Sequence, residues 1–356
     1  MMFKNILITG GAGFVGSSLA ILFKQAFDGV TVTAFDNLHR RGSELSLPRL
    51  KAAGVKFYHG DIRCREDLEA LPDFDLLIDC AAEPSVQAGA GGSPSYVLNN
   101  NLTGAINCME AARLSRAAFV FLSTSRVYPI SALNSLPYRE DATRFRWEDA
   151  PDVPGFSAQG VAELFPMDGA RSFYGAGKLA AEMVLQEYVY NTGMKAIINR
   201  CGILAGPWQM GKVDQGVITL WVARHYFQKP LQYIGFGGQG KQVRDMLHVN
   251  DLFELLLLQM KMPEKWNGSV YNVGGGPDVS LSLLELTSLC TAVTGCRINI
   301  APVFDTSNVD VRIYITDNRK VCEDFGWEPV HGAQDIVRDI YSWIDACHDQ
   351  LETILG

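Results

Sequence analysis

Lys4–Gln25 reads KNILITGGAGFVGSSLAILFKQ, and this stretch decides the fold. The apolar run Ile6 to Ile8 predicts a buried strand, and Ser17 to Lys24 predicts the start of an amphipathic helix. Glycines fill the turn between them. Gly10, Gly13 and Gly16 stand three residues apart, a variant of the dinucleotide fingerprint. Lack of a side chain permits the tight turn, lets backbone N–H groups approach a pyrophosphate, and lets helix and strand pack closely.

Outward from this turn the same strand–helix unit repeats. VTVTAFDN gives a second strand ending in Asp36, where a carboxylate can accept hydrogen bonds from an adenosine ribose. A carboxylate there also repels a 2′-phosphate and favours NAD over NADP, although His39, Arg40 and Arg41 follow and partly offset it. The third strand, VKFYHGDIR, ends in Asp61, placed to meet the adenine edge. The fourth, DLLIDCAAE, ends in Ala81 and Ala82, small enough to let the backbone pass close to a cofactor. Strand signals near 6, 31, 56, 76, 119 and 196, with helical stretches between, predict an α/β fold with a Rossmann-type doubly wound parallel sheet.

After Arg200 the pattern loosens into GPWQMGKVDQG, GFGGQGKQVRD and NVGGGPDVSLS, Gly-rich loops around short elements. The expected division is an NAD-binding domain over 1–200, receiving part of 243–275, and a smaller, interwoven C-terminal substrate lobe over 201–356. The polar segment between Pro137 and Arg171 is too long for a plain connector and predicts a loop that shapes a pocket. AQDIVRDIYSWIDACHDQLETIL predicts one last helix that only packs.

Bulk properties narrow the function classes. At 356 residues and 47% hydrophobic the chain can bury a sizeable core. A net charge of -8 with dispersed basic residues argues against nucleic acid or an anionic membrane as partner. Eight cysteines, at 64, 80, 108, 201, 290, 296, 322 and 347, show neither a C-x-x-C pair nor a zinc spacing. Reduced thiols in a cytoplasmic protein are expected, with no metal. No run reaches the ~18 apolar residues of a spanning helix, and the segment before the glycines is too short for a signal peptide.

The chemistry-bearing set lies mid-chain. In SFYGAGKLAAE, Tyr174 precedes Lys178 by four residues, which puts a phenol and an ammonium on one helix face. Phenol titrates near ~10, and a close positive charge lowers that value toward working pH. Such a tyrosine can take a proton from a sugar hydroxyl while hydride leaves the same carbon. FLSTSRVY follows the fifth strand and places Thr124 to hydrogen-bond the reacting oxygen.

GGAGFVG, Asp36, Thr124 and YGAGK together resemble the extended short-chain dehydrogenase/reductase superfamily of nucleotide-sugar epimerases and dehydratases, over essentially the whole chain. DNLHRRG, VDQG, GKQVRDMLHVNDL and NVGG with SLSLLEL look most like its CDP-paratose 2-epimerase group. The resemblance implies a tightly held NAD and a CDP-linked deoxyhexose inverted at carbon 2 through a transient ketone. Thr124, Tyr174 and Lys178 would inherit catalysis. The cofactor surface it implies comprises Gly10, Gly13, Phe14, Val15, Gly16, Asp36, Asn37, Arg40, Asp61, Ile62, Ala81, Ala82, Asn101, Tyr174, Lys178 and Cys201. Arg244 and Arg312 match positions that grip the pyrophosphate, where a planar fork suits paired oxygens; each can alternatively pair with a carboxylate of the fold. Gln209, Asp214, Gln215 and Gln242 lie in loops that would read sugar or base. Glu83 either faces the sugar or bonds to backbone.

One departure discriminates. Dehydratases of the superfamily carry an Asp-Glu pair directly after the active-site threonine, where this chain has Ser125 and Arg126. Elimination of water then lacks its acid and base, which favours an epimerase or simple oxidoreductase. A 4-epimerase or reductase acting on another nucleotide sugar, and a non-catalytic NAD-binding module, are the competing readings. A homodimer or homotetramer is the expected assembly, through the helix carrying LAAEMVLQEYVY.

Overall fold

The computed structural model describes residues 3–150, 152–213 and 215–356. They form two compact units, neither of them one continuous segment. The first comprises Met1–Val127, Ser172–Arg200 and Leu252–Tyr271, and the second Tyr128–Arg171, Cys201–Asp251 and Asn272–Gly356. Residues 128–171 therefore count with the second unit and not with the first, and 252–271, inside the 243–275 stretch, count with the first.

The first unit is built on strands β1 (Asn5–Thr9), β2 (Thr31–Asp36), β3 (Lys56–His59), β4 (Leu76–Asp79), β5 (Ala118–Thr124), β6 (Ala196–Cys201) and β7 (Asn267–Val273). They form a seven-stranded sheet in the order β7-β6-β5-β4-β1-β2-β3. Pairing is parallel from β3 through β2, β1 and β4 to β5, so the strand order reverses between β1 and β4, the switch point where such sheets bind ligands. Every residue of β4 and β5 is buried, as near-continuous apolar runs in a covered parallel sheet should be. One core layer packs Leu77, Phe119, Phe121 and Ile198 of the sheet against Cys108, Met109 and Ala112 of helix α2 (Gly104–Leu114) and Ala181 and Leu185 of helix α3 (Phe173–Thr192). Each buried Leu, Ile, Phe or Met among them contributes roughly 1.5–3 kcal/mol by leaving water.

Helix ends follow their sequence signals. Helix α1 (Phe14–Ala26) starts after Gly13 with no side-chain cap on its first N–H groups. Helix α3 is capped by Ser172, whose hydroxyl accepts from Gly175 N–H at 3.2 Å, and ends at Gly193 in the left-handed conformation (φ 72°).

The second unit contains a four-stranded sheet in which Val243–His248 pairs in parallel with Ile203–Ala205 and Ile313–Tyr314 and antiparallel with Ser280–Ser282. Helix Leu283–Thr294 opens with a capping box between Ser282 and Glu285. The segment between Pro137 and Arg171 is not the plain loop that its polarity suggests. It carries two small antiparallel hairpins, Tyr138–Glu140 with Phe145–Trp147 and Phe156–Ser157 with Gly160–Val161. Trp147 of the first hairpin meets Phe156 of the second edge-on at 5.0 Å. The C-terminal helix is likewise two helices, Ala333–Ala346 and His348–Leu355, joined at Cys347. Among the described residues no helix is long and apolar enough to cross a membrane.

Candidate active site

The glycine turn fits a dinucleotide because no larger residue fits the turn. Gly10 has φ +61°, and a Cβ there would lie 2.8 Å from the Cys80 carbonyl oxygen. A Cβ at Gly16 would lie 2.2 Å from the Gly10 carbonyl oxygen. The backbone thus folds onto itself at the mouth of α1, where Phe14 and Val15 begin the helix and its uncapped N–H groups suit a phosphate. Asp36 ends β2 beside this turn. Its carboxylate accepts from Ala12 N–H at 3.1 Å and Leu38 N–H at 2.7 Å. Burial pushes the carboxyl above its usual range, and these backbone donors oppose the shift. An ionised carboxylate retains further lone pairs for ribose hydroxyls.

The Asp61 carboxylate is engaged within the chain, by Arg63 in a bidentate grip (2.9 and 2.6 Å) and by Asn37 Nδ2 at 3.0 Å. Arg63 holds its pKa well below the ordinary carboxylate value. Ile62 follows, buried against Gly104. Arg40 sits in the turn after β2, where its carbonyl accepts from Ser43 Oγ at 2.6 Å. Ala81 N–H donates to Asp79 at 3.2 Å, and Ala82 follows it off the end of β4.

Asn101 lies in a single turn of π-helix, Asn99–Thr103, a local under-winding often found at functional sites. Its amide clamps the backbone of Glu83 from both sides: Oδ1 accepts from Glu83 N–H at 2.7 Å and Nδ2 donates to Glu83 O at 3.0 Å. The Glu83 carboxylate turns back to Ser85 N–H at 3.1 Å, the backbone-bonding alternative of the two open for it.

Thr124 is the buried last residue of β5, with Oγ1 accepting from Arg126 N–H at 3.2 Å. Tyr174, in the first turn of α3, is half-buried. Lys178, one turn on, is 2% exposed. Its Nζ donates to Leu122 O on β5 at 3.0 Å and lies 4.4 Å from the Phe121 ring centroid. The lysine therefore ties the tyrosine's helix to the strand that ends in Thr124.

A network that sequence reasoning missed reinforces this tie. Glu182, one turn beyond Lys178, is buried and accepts from Arg200 Nη2 at 2.7 Å and from Arg200 Nε at 3.1 Å. Ser123 Oγ donates to the same carboxylate. Helix α3, β5 and β6 are pinned together directly under Lys178. The i, i+4 spacing of Lys178 and Glu182 was the available signal, since it puts both on the buried face.

In the second unit the two arginines differ. Arg244 Nη2 pairs with Asp310 at 2.8 Å and donates to Val311 O, while Nη1 donates to Val243 O at 2.7 Å. Arg312 lies over aromatic rings, 3.9 Å from the Tyr138 centroid, 5.3 Å from Phe236 and 5.8 Å from Phe145. Its Nη1 donates to Asn134 O at 3.2 Å, and among the described residues no carboxylate pairs with it. Gln209 is satisfied internally, donating to Leu204 O and accepting from Thr219 Oγ1, both at 2.9 Å. Gln215 Oε1 and Gln242 Oε1 are buried without a hydrogen-bond partner among the described residues. Cys201 is buried at the end of β6, and Asp214 lies outside the described residues. No cluster of metal-ligating side chains occurs among the described residues.

Comparison with known proteins agrees with this geometry. Residues 6–274 match the model of the NAD dependent epimerase/dehydratase family. CDP-paratose 2-epimerase of Salmonella typhi is 32% identical, over 95% of this chain and 98% of its own length. UDP-glucose 4-epimerase of Thermotoga maritima, solved with UDP-glucose, superposes with a TM-score of 0.76 at 25% identity, covering 97% of this chain and all of that one. UDP-glucose 4-epimerase of Thermus thermophilus, solved with NAD, gives 0.74 at 25% identity over 96% and 99%. With a glycine turn that suits a dinucleotide, and a match running through both units, the chain belongs to the NAD dependent epimerase/dehydratase family, as an extended short-chain dehydrogenase/reductase enzyme whose cofactor is NAD.

Proposed function

We propose that the enzyme inverts carbon 2 of a CDP-linked deoxyhexose by transient oxidation to a ketone and re-reduction. The observation that carries this reading is the construction around Thr124. A buried strand end is locked to the Tyr174–Lys178 helix through Leu122 O, and the two residues after it, Ser125 and Arg126, are neither acid nor base. That is a site for moving a proton to and from one oxygen, not for expelling water. End-to-end similarity to CDP-paratose 2-epimerase supports carbon 2 and a CDP-sugar.

NAD, held by the glycine turn, Asp36 and the Asn101 segment, supplies the acceptor and donor of hydride. Tyr174 takes the proton of the sugar hydroxyl, with the Lys178 ammonium stabilising the phenolate. Thr124 Oγ1 orients that hydroxyl and afterwards the ketone oxygen. The sugar then turns, exposing its other face, and Tyr174 returns the proton as the carbonyl is reduced. Turning without escape needs an anchor at the nucleotide end. Arg312, a cation held on three rings and paired with no carboxylate among the described residues, suits the pyrophosphate. Arg244 acts through Asp310 as its support, and Gln215 and Gln242 offer acceptors to sugar hydroxyls or to N–H groups of the base.

Incubating the purified protein with CDP-, UDP- and GDP-hexoses and following the sugar protons by NMR tests this. Inversion at carbon 2 of a CDP-deoxyhexose is expected. Inversion at carbon 4 of a UDP-sugar would instead make it a 4-epimerase, the reading that the two UDP-glucose 4-epimerase structures favour. NADH accumulating without inversion would make it a dehydrogenase. Assembly as a homodimer or homotetramer through α3 is part of the proposal, supported by exposed Met183 and Tyr190 on that helix. A cytoplasmic location is proposed from eight cysteines that all remain thiols.

A further inference from the structure

We propose that Asp79 is a positioning residue for Lys178: its buried carboxylate is the counter-charge that keeps the lysine an ammonium, and it thereby sets the pH range over which Tyr174 exchanges its proton. The inference rests on the reading of Tyr174 and Lys178 as the acid/base pair, and it adds a third member from a different strand.

Register supplies the geometry. Asp79, the last residue of β4, is fully buried and stands opposite Phe121 in the parallel β4–β5 ladder. Register partners on neighbouring strands project to the same face of a sheet, about 4.8 Å apart. Lys178 Nζ lies 4.4 Å from the centroid of that same Phe121 ring, so the ammonium sits over the position beside Asp79. Thr9 Oγ1 donates to Asp79 Oδ1 at 2.6 Å, and Ala81 N–H donates to the same oxygen at 3.2 Å. Asp79 Oδ2 is buried and has no hydrogen-bond partner among the described residues.

The groups facing Asp79 leave one candidate counter-ion. Helix α3 contributes Lys178, and α2 contributes Cys108. From β1 comes Thr9 and from β5 Phe121, neither charged. Burial keeps the Cys108 thiol neutral, pushed well above its ordinary value. Burial also pushes the Asp79 carboxyl up, and Lys178 opposes that shift. The reverse holds for the lysine. A buried ammonium sheds its proton unless an anion faces it, and Glu182, the next carboxylate along α3, is already met by Arg200. A neutral Lys178 would no longer stabilise the Tyr174 phenolate, so Asp79 protects the chemistry from beneath.

Asp79→Asn tests this, because the amide keeps the shape and an oxygen for Thr9 and Ala81 while removing the charge. A negative charge raises the pKa of a neighbouring ammonium, so its loss should lower Lys178, and a Lys178 that sheds its proton no longer holds the Tyr174 pKa down. Titrate the full chain with saturating NAD by phenolate absorbance, subtracting the matching Tyr174→Phe protein, and in parallel follow Lys178 by NMR of 15N-lysine-labelled protein. The Lys178 midpoint is expected to fall and the Tyr174 midpoint to rise, each by on the order of one pH unit. A Lys178 midpoint unmoved by Asp79→Asn overturns the proposal. A wild-type curve that Tyr174→Phe does not alter sinks the acid/base reading instead, while the lysine arm still decides the role of Asp79. If Asp79→Asn does not fold, Thr9→Val is the substitute: stripping the 2.6 Å donor favours the uncharged carboxyl and should move both midpoints the same way by less, and no movement overturns the proposal.

Discussion

Buried polar groups meet different fates in the two units. In the first, buried Glu182 is met by Arg200 and Ser123 and buried Lys178 by Leu122 O and Phe121, while Asp79 Oδ2 has no hydrogen-bond partner among the described residues and has the Lys178 ammonium as its proposed counter-charge. In the second, Gln215 Oε1 and Gln242 Oε1 find no partner among the described residues, and Arg312 lies on aromatic rings instead of a carboxylate. Groups that move protons must already be in place before substrate arrives, because reorganising them during the reaction would raise the barrier. Groups that recognise a ligand are instead completed by it. The contrast supports the proposal that the first unit holds the chemistry and the second reads the substrate.

The strongest attempt to break this contrast is Tyr174→Phe. Inversion of a CDP-deoxyhexose, followed by NMR, should slow by roughly 10²–10⁴-fold, with the unfolding midpoint unchanged. Next comes Glu182→Gln, which strands a buried arginine. Loss of about 3–5 kcal/mol of stability is expected in denaturant titration, and a change below 1 kcal/mol would show that the network under Lys178 is not needed for the fold. In the second unit Arg312→Ala should raise KM for the nucleotide sugar by roughly tenfold or more, with kcat and melting temperature little changed. Arg244→Ala, which breaks the Asp310 pair, should lower the melting temperature as well. If the two substitutions behave alike, the distinction between the arginines fails.

The smallest effects sharpen the contrast through pH. Asp61 has a depressed folded pKa, so its stabilisation is present above the unfolded value and is lost as pH falls through the folded one. Glu163, in the second unit, has a raised folded pKa because of burial. Its contribution is complete below the unfolded value and is lost as pH rises through the folded one. Asp61→Asn should therefore cost up to about 1 kcal/mol at neutral pH and nothing in strong acid. Glu163→Gln should gain a few tenths of a kcal/mol at pH 7 relative to pH 4, both read from urea midpoints.

Much of the first unit was legible because its signals are local. A glycine turn, apolar runs closed by Asp36 and Asp61, and a Tyr–Lys pair at helical spacing each announce themselves within a few residues. What escaped depends on residues far apart in the chain. Asp79 reads as the end of an apolar run, and only the β4–β5 register sets it beside Lys178. Arg200 reads as a strand terminus until α3 lays Glu182 against it. The Pro137–Arg171 segment looked like loop because its strands are two or three residues long, too short for alternation to register. Which carboxylate pairs with Arg244 could not be read locally, because Asp310 lies sixty-six residues away.

The sheet of the first unit has a consequence for biosynthesis. Strand β7 ends at Val273, and helix-forming residues 252–260 precede it. A chain emerging from the ribosome therefore carries the nucleotide cradle, the catalytic helix and six strands long before the seventh is made. Until then β6 has an open edge, a template for mispairing with another nascent copy. Truncation after residue 200 should yield an aggregating fragment, so expression of an isolated cofactor domain requires residues 252–273 to be grafted back.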